Sequence, residues 1–551
     1  MTRIARLLLA IVLLPSLAAL AAVPVPAAVP GAVAAEQAGA VDVAIAARLV
    51  DDSRLVAGQS TNLTQLRRFY AQRGFEPVWR DLAPVQALLA VLRDAESDGL
   101  SLADYHIDSI AGRLEAAGMA ERVELELLLS DAAMAYGAHL RAGRVVPRMV
   151  SSDLAVTPQA VDVFALAEGL ARSSDPAAVL AALRPVRPEY TALKALLARY
   201  KAVEKAGGWP VIRAGRDPGL KDLRRRLAAT GDLDARAAAG GGDAMDPAVR
   251  KAVETFQARH GLTADGSLNA ATLAALNVPV ADRIAQVVVN MERARWMPED
   301  FGDRYVLVNI PDFTLKAVDN GKVALDMRVI VGTKVRRTPI FDSSITSVML
   351  NPTWTVPVKL AREDYLPKLM ADPGFLASHG FTVYSGWGAS SAPMDGHSIN
   401  WRAVGAGGIA RLRLRQDPGP NNALGQVLFS IPNDFDVYLH DTPSREKFSQ
   451  TIRSFSSGCV RVGNPWGLAD FVMAGMPEGS PDRRKAILDK RTTRIVTLRQ
   501  AIPVHLHYQT VWADAAGVVQ VRDDVYGRDA ELLDAIARRA GPTARVADAH
   551  R

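Results

Sequence analysis

The chain of 551 residues contains a single cysteine, Cys459, set among Ser456, Ser457, Gly458 and Arg461, and His440 precedes it by nineteen positions. A thiol becomes a strong nucleophile as thiolate, and a neighbouring imidazole can take its proton. Gly458 lets the backbone approach a substrate closely. Amide N–H groups beside Cys459 can then meet a developing oxyanion. These residue types suit acyl transfer through a thioester. A free cysteine is commonly just a small buried hydrophobe, but the polar neighbours of Cys459 favour chemistry.

The flanking sequence must bring the pair together. His440 closes a strand that starts at Asp436, and Tyr438, two residues earlier, shares its sheet face. Thr442-Pro443 is expected to start a short helix. Arg453 to Ser457 is expected to return the chain as a loop. From Tyr305 onwards the hydrophobic period is two. Tyr305–Ile310, Val323–Val331, Ser347–Leu350 and Val427–Ile431 read as strands, with a hairpin turn at Asn320-Gly321. An interruption over 358–417 is long enough to be a lid. It carries Trp387, Trp401 and the alternating Arg411, Arg413 and Arg415, which read as a solvated face or as an attractor of carboxylates. His505 and His507 read as exposed strand residues, because two histidines alone are weak evidence for a metal.

The rest of the chain is helical. Apolar stripes at helical spacing run through Val85–Arg93, Val123–Leu140 and Val179–Tyr200, within a scaffold spanning 41–205. Residues 206–218 form a linker. Residues 219–278 read as a three-helix module: Gly219 to Ala229, then a Gly/Ala loop at Ala237–Gly242. Asp246 caps a second helix that opens on Pro247, and a third carries Thr272–Leu276. The mainly β domain occupies 300–510, and 511–551 forms a C-terminal tail. The expected class is therefore multidomain α+β.

Composition excludes several functions. With 49% hydrophobic and 23% charged residues the chain is globular. Its 65 basic and 59 acidic residues give +6 but form no stripe, which argues against a nucleic-acid partner. One cysteine permits no intramolecular disulfide and no Cys-rich metal site. Arg3 and Arg6, the apolar run Leu7–Leu20 and Ala32-Val33-Ala34 read as a cleaved signal peptide over 1–34. The expected location is the periplasm.

Two resemblances follow from these residues. Asp246 to Pro279 resembles the type-1 peptidoglycan-binding domain. His440, Ser456, Gly458, Cys459 and Arg461 resemble the signature of L,D-transpeptidases with the YkuD domain. Ser457 stands where most members carry a second His, a form similar to the YcbB-like branch. Gly419–Gly425, Asn351–Trp354, Gly74–Trp79, Asp98–Leu100 before Asp104–His106, His139–Pro147 and the tail stretch through Val525–Gly527 also resemble that branch. The resemblance implies Cys459 as nucleophile and His440 as base. It assigns Ser456, Ser457, Gly458 and Tyr438 to the oxyanion and motif region, and Arg461, Asn422 and Trp354 to substrate binding. It implies 3→3 cross-linking of peptidoglycan stem peptides with release of D-Ala, and no metal or cofactor. The 358–417 insertion becomes a substrate cap, carbapenems become expected inhibitors, and cell-wall synthesis proteins become possible partners. The same site also suits an L,D-carboxypeptidase, or attachment of a lipoprotein or D-amino acid. A non-catalytic wall-binding scaffold is the reading from another class.

Overall fold

The computed structural model describes residues 30–539 apart from 52, 54, 116–117, 214–218, 241–244 and 373. The expected signal peptide lies almost wholly outside the described residues, as do 214–218 of the linker and 540–551 of the tail.

The N-terminal half is helical, as its periodicity requires. Met119–Ala142 runs through its centre, burying residues such as Leu127, Ala132 and Tyr136. The helices Leu63–Gln72, Leu82–Arg93 and Val163–Arg172 pack their apolar faces around it. Glu126 is buried there, and its carboxylate accepts the N–H groups of Val78 and Trp79 and the Tyr70 hydroxyl. A buried carboxylate is tolerable only when its oxygens are so occupied.

In the small module, Asp246 accepts from the Val249 N–H and Pro247 takes the first helical position, so Pro247–Arg259 starts where capping predicts. The Gly/Ala stretch expected as a loop instead contains a short helix, Ala235–Gly240. Its alanines favour helix over loop, and Ala237 and Ala238 pack on the module's core.

The C-terminal half is built on one curled sheet. Its strands are β1 (Leu154–Ala155), β2 (Arg304–Asn309), β3 (Thr314–Asp319), β4 (Lys322–Gly332), β5 (Ile340–Leu350), β6 (Val427–Ser430), β7 (Leu439–His440), β8 (Ser454–Ser456), β9 (Val460–Val462) and β10 (Arg494–His507). The order is β6-β7-β9-β4-β3-β2-β10-β5-β1, with β8 parallel to β4. β6 also pairs with β5, so the sheet closes on itself around a single apolar core.

Several elements depart from expectation. β1 comes from the helical half, where Leu154 pairs with Ile340. The strand expected from Asp436 begins only at Leu439, since Asp436 has φ +53° and breaks the extended run. Thr442-Pro443 starts no helix; a 3₁₀ turn follows later, at Arg445–Ser449. Arg453–Ser457 is not all loop, because β8 docks on β4. The stretch from 511 is no loose tail over its described part. It forms the hairpin Val511–Ala513/Val519–Val521 and the helix Arg528–Arg539, and it sends Tyr526, Leu532 and Ile536 into the core. Arg528 pairs with Asp153 at 2.6 Å, which ties that helix to β1's neighbourhood.

His505 and His507 are buried, not exposed. The half of β10 that carries them lies between β2 and β5, and Phe301 packs on His505 with ring centroids 4.7 Å apart.

The insertion folds on its own small core. Strands Pro393–Met394, Phe381–Tyr384, Arg413–Gln416 and Trp354–Thr355 form a sheet, backed by Leu366–Ala371 and Trp401–Ile409. Trp401 and Leu414 are buried in it, whereas Trp387 stays half-exposed. Arg413 and Arg415 lie over the Tyr384 ring, and Arg415 pairs with Asp417. These arginines therefore brace the insertion's own sheet.

Candidate active site

The parallel register of β7 and β9 sets Leu439 beside Val460 and His440 beside Arg461. Side chains alternate across a strand. Leu439 and Val460 accordingly enter the apolar core. Tyr438, His440, Cys459 and Arg461 turn to the other face, into a cavity of about 650 Å³ roofed by the insertion. The nineteen-residue spacing thus becomes one side of a two-strand ladder.

The turn before Cys459 is tightly bonded. Gly458 has φ +122°, a conformation that L side chains rarely adopt. Its N–H donates to Ser456 Oγ at 3.2 Å, and Ser456 Oγ donates to the Cys459 carbonyl at 2.5 Å. Thr338 Oγ1 donates to the Gly458 carbonyl at 2.7 Å. Ser457 faces outward and meets Arg336 Nη1 at 3.0 Å. Arg336 also pairs with Glu363 and Asp364 of the insertion, each at 2.7 Å, so it fastens the roof to the loop below.

Burial pushes the Cys459 thiol up to about 11. The Tyr438 N–H, the Arg461 charge and the Tyr438 hydroxyl pull the other way and lose. Burial and the Arg461 charge hold His440 down at about 3, against the Asp441 and Leu424 carbonyls. The resting pair is therefore a neutral thiol and a neutral imidazole. His440 Nδ1 lies 2.5 Å from the Asp441 carbonyl, which can only accept, so Nδ1 carries the proton and Nε2 is the basic atom. Arg461 is itself held below its ordinary pKa by burial, and its Nε has no partner among the described residues.

Most of the residues expected at the site lie there. Tyr438, Ser456, Ser457, Cys459, Arg461 and Trp354 line the cavity with His440. Asn422 does not reach it. Its side chain is buried, donates to the Pro352 and Asp417 carbonyls and accepts from the Leu424 N–H. It shapes the loop behind the cavity. Sequence reasoning missed Arg336 and Thr338 on the β4–β5 turn and Tyr365 and Lys368 on the roof. The only signal was the run Arg336-Arg-Thr-Pro339 between two strands.

Three family models match along the chain. Residues 64–197 match a scaffold domain, and 216–276 match a "Putative peptidoglycan binding domain". Residues 303–481, which hold the whole cavity-facing ladder, match the L,D-transpeptidase catalytic domain of the YkuD type. Residues 303–481 therefore form a catalytic domain of the YkuD L,D-transpeptidase type. A Haemophilus influenzae protein described as "Putative L,D-transpeptidase" is 36% identical over 249 residues, 45% of this chain. The chain spans about half the length of that curated relative, 48%. Among solved structures, an L,D-transpeptidase from Mycobacterium smegmatis matches 37% of this chain and 58% of its own, at 12% identity and TM-score 0.18. The Xylanimonas cellulosilytica L,D-transpeptidase matches 54% and 97%, at 15% identity and TM-score 0.17. LD transpeptidase LdtMt1 in complex with imipenem matches 37% and 59%, at 14% identity and TM-score 0.17.

Proposed function

We propose that this L,D-transpeptidase forms 3→3 cross-links between peptidoglycan stem peptides through a thioester on Cys459. The observation that carries the reading is the ladder itself. A thiol, an imidazole whose Nδ1 faces the Asp441 carbonyl and a guanidinium whose Nε has no partner among the described residues share one face of β7 and β9 beneath a roof.

In the first step the Cys459 sulfur attacks the carbonyl at the L-centre of diaminopimelate in a tetrapeptide stem. His440 Nε2 takes the thiol proton, because the resting pair is neutral. The Cys459 amide meets the oxyanion. The C–N bond breaks, His440 returns the proton to the nitrogen, and D-Ala leaves with a thioester behind. In the second step the amine at the D-centre of another stem attacks that thioester. His440 takes its proton, the new amide forms and the thiol is restored. Each bond made replaces one broken, so no ATP and no cofactor enter.

Charge supports an anionic substrate. Arg336, Arg337, Lys359, Lys368 and Arg461 line the cavity against Asp364 and Asp436. Arg461 is the partner proposed for a stem carboxylate, with Trp354 and Tyr365 as apolar walls. The roof excludes water, which competes with the acceptor amine for the thioester.

We further propose the domain division as expected from sequence: an exported precursor with a signal peptide over 1–34, a helical scaffold over 41–205 and a linker over 206–218. A wall-binding module over 219–278 follows, then the catalytic domain over 300–510. The periplasm is the proposed location and the YcbB-like branch the proposed subtype. Carbapenems are proposed as acylating inhibitors, since a strained acyl ring presents Cys459 with the same electrophile. Intact-mass measurement tests the nucleophile. A carbapenem adduct on the wild-type chain that is absent from Cys459→Ala supports the reading; an adduct on both contradicts it.

A further inference from the structure

A second cavity, of about 400 Å³, opens where the small module meets the C-terminal stretch, away from Cys459. Helix Ala270–Leu276 contributes Ala274, and His260 closes the end of the preceding helix. Helix Val280–Trp296 contributes Asp282, Arg283 and Gln286, and Asp523 follows the strand Val519–Val521.

Arg283 is the unusual member. Only 8% of it is exposed. Its Nη1 donates to Gln286 Oε1 at 2.7 Å and its Nη2 makes a long contact of 3.4 Å to the Ala275 carbonyl. Its Nε has no partner, and no carboxylate pairs with it among the described residues. A buried guanidinium in no direct ion pair, with only the exposed Asp523 and Asp282 carboxylates near it, is costly, and a bidentate carboxylate is its best complement. Asp282 and Asp523 line the same cavity and form no ion pair among the described residues. Buried cation and neighbouring carboxylates together complement a ligand with both signs.

We propose that this cavity binds a zwitterionic amino-acid end, a carboxylate and an ammonium on one carbon, with Arg283 on the carboxylate and Asp282 and Asp523 on the ammonium. The diamino acid of an uncross-linked stem presents that group, so the small module and the C-terminal stretch together form a wall-anchoring subsite. The assignment to a stem rests on the peptidoglycan reading above. Free D-Ala carries the same chemistry and is the other source.

Hydrogen exchange on the full chain carrying Cys459→Ala tests this, with disaccharide-tetrapeptide as the probe. The expected result is slowed exchange over 271–286 and 519–529 as well as over 438–461. Ala274→Phe, which fills the cavity and keeps Arg283, removes the first protection and leaves the second. Arg283→Gln weakens the first about tenfold in apparent affinity, the loss of roughly one charge-assisted pair. A tetrapeptide amidated on the diamino-acid carboxylate gives no protection there. If free D-Ala protects 271–286 and the tetrapeptide does not, the zwitterion site stands and its source is the released amino acid. Protection over 438–461 alone overturns the subsite. Protection nowhere overturns both the subsite and the peptidoglycan reading.

Discussion

The Thr338 hydroxyl accepts from the Gly332 N–H at 2.9 Å and donates to the Gly458 carbonyl at 2.7 Å. One buried side chain thus joins the end of β4 to the residue before Cys459. The Tyr526 hydroxyl stands behind it, accepting from the Thr338 N–H at 3.3 Å and donating to the Gly332 carbonyl at 2.7 Å. The C-terminal stretch therefore supports the turn that aims the thiol. Thr338→Val strips two backbone groups of their partner and is expected to cost about 1–3 kcal/mol of stability. Because small misplacements of a reacting group are expensive, kcat should fall about tenfold or more with KM little changed. Denaturant melts and steady-state kinetics on the same preparation check both.

Arg461 tunes the protonation of the pair, secondary to burial. Its charge lowers both His440 and Cys459, though burial keeps the thiol at about 11. Alkylation of Cys459 by iodoacetamide should therefore keep rising with pH towards 11, since the thiolate is the reacting form. Arg461→Gln removes the pull on the thiol, so alkylation at pH 8 becomes slower. His440 then loses a repelling cation, and its pKa rises. A plateau near neutral pH in the wild type would instead indicate a preformed thiolate–imidazolium pair.

That His440, Cys459 and Tyr438 share one cavity is legible in the sequence because the placement is local. His440 closes a strand, Gly458 precedes the thiol, and Tyr438 shares the histidine's face. The existence of several strands and the roof's outline follow from the change of period, but strand starts do not: one opens at Ile340 instead of Ser347 and another at Leu439 instead of Asp436. Long-range pairings do not follow either. Nothing near Leu154 announces that it joins Ile340, and Thr338 and Tyr526 are separated from Cys459 by 121 and 67 positions. Asn422 misled because a motif gives the residue and not the direction of its amide. His505 and His507 misled because a period of two cannot tell a solvated face from one covered by Phe301.

His507 also makes stability depend on pH. Burial holds His507 at about 3, against about 6.5 in the unfolded chain. The unfolded state therefore binds the extra proton below pH 6.5. The contribution to stability is full above that value and is lost as pH falls towards 3, by up to about 1.4 kcal/mol per pH unit. His440 adds in the same direction. Melting temperature should drop steadily from pH 7 to pH 4, and His507→Gln should flatten that slope. An unchanged slope would refute the assignment.

Arg336 fastens the roof to the catalytic loop through Glu363, Asp364 and Ser457. Arg336→Ala frees the roof without touching Cys459 or His440. More water then reaches the thioester. The expected outcome is an increased share of tripeptide monomer over dimer, with the dimer rate down about tenfold. Chromatography of the products reads the ratio directly.

The central claim is transfer through Cys459, and mass spectrometry of the products tests it most directly. The chain and its Cys459→Ala variant would be incubated with purified disaccharide-tetrapeptide. The account predicts 3→3 dimers lacking one D-Ala from the first protein and none from the second. Dimers from both would contradict the nucleophile, and tripeptide monomers alone would contradict transpeptidation in favour of a carboxypeptidase.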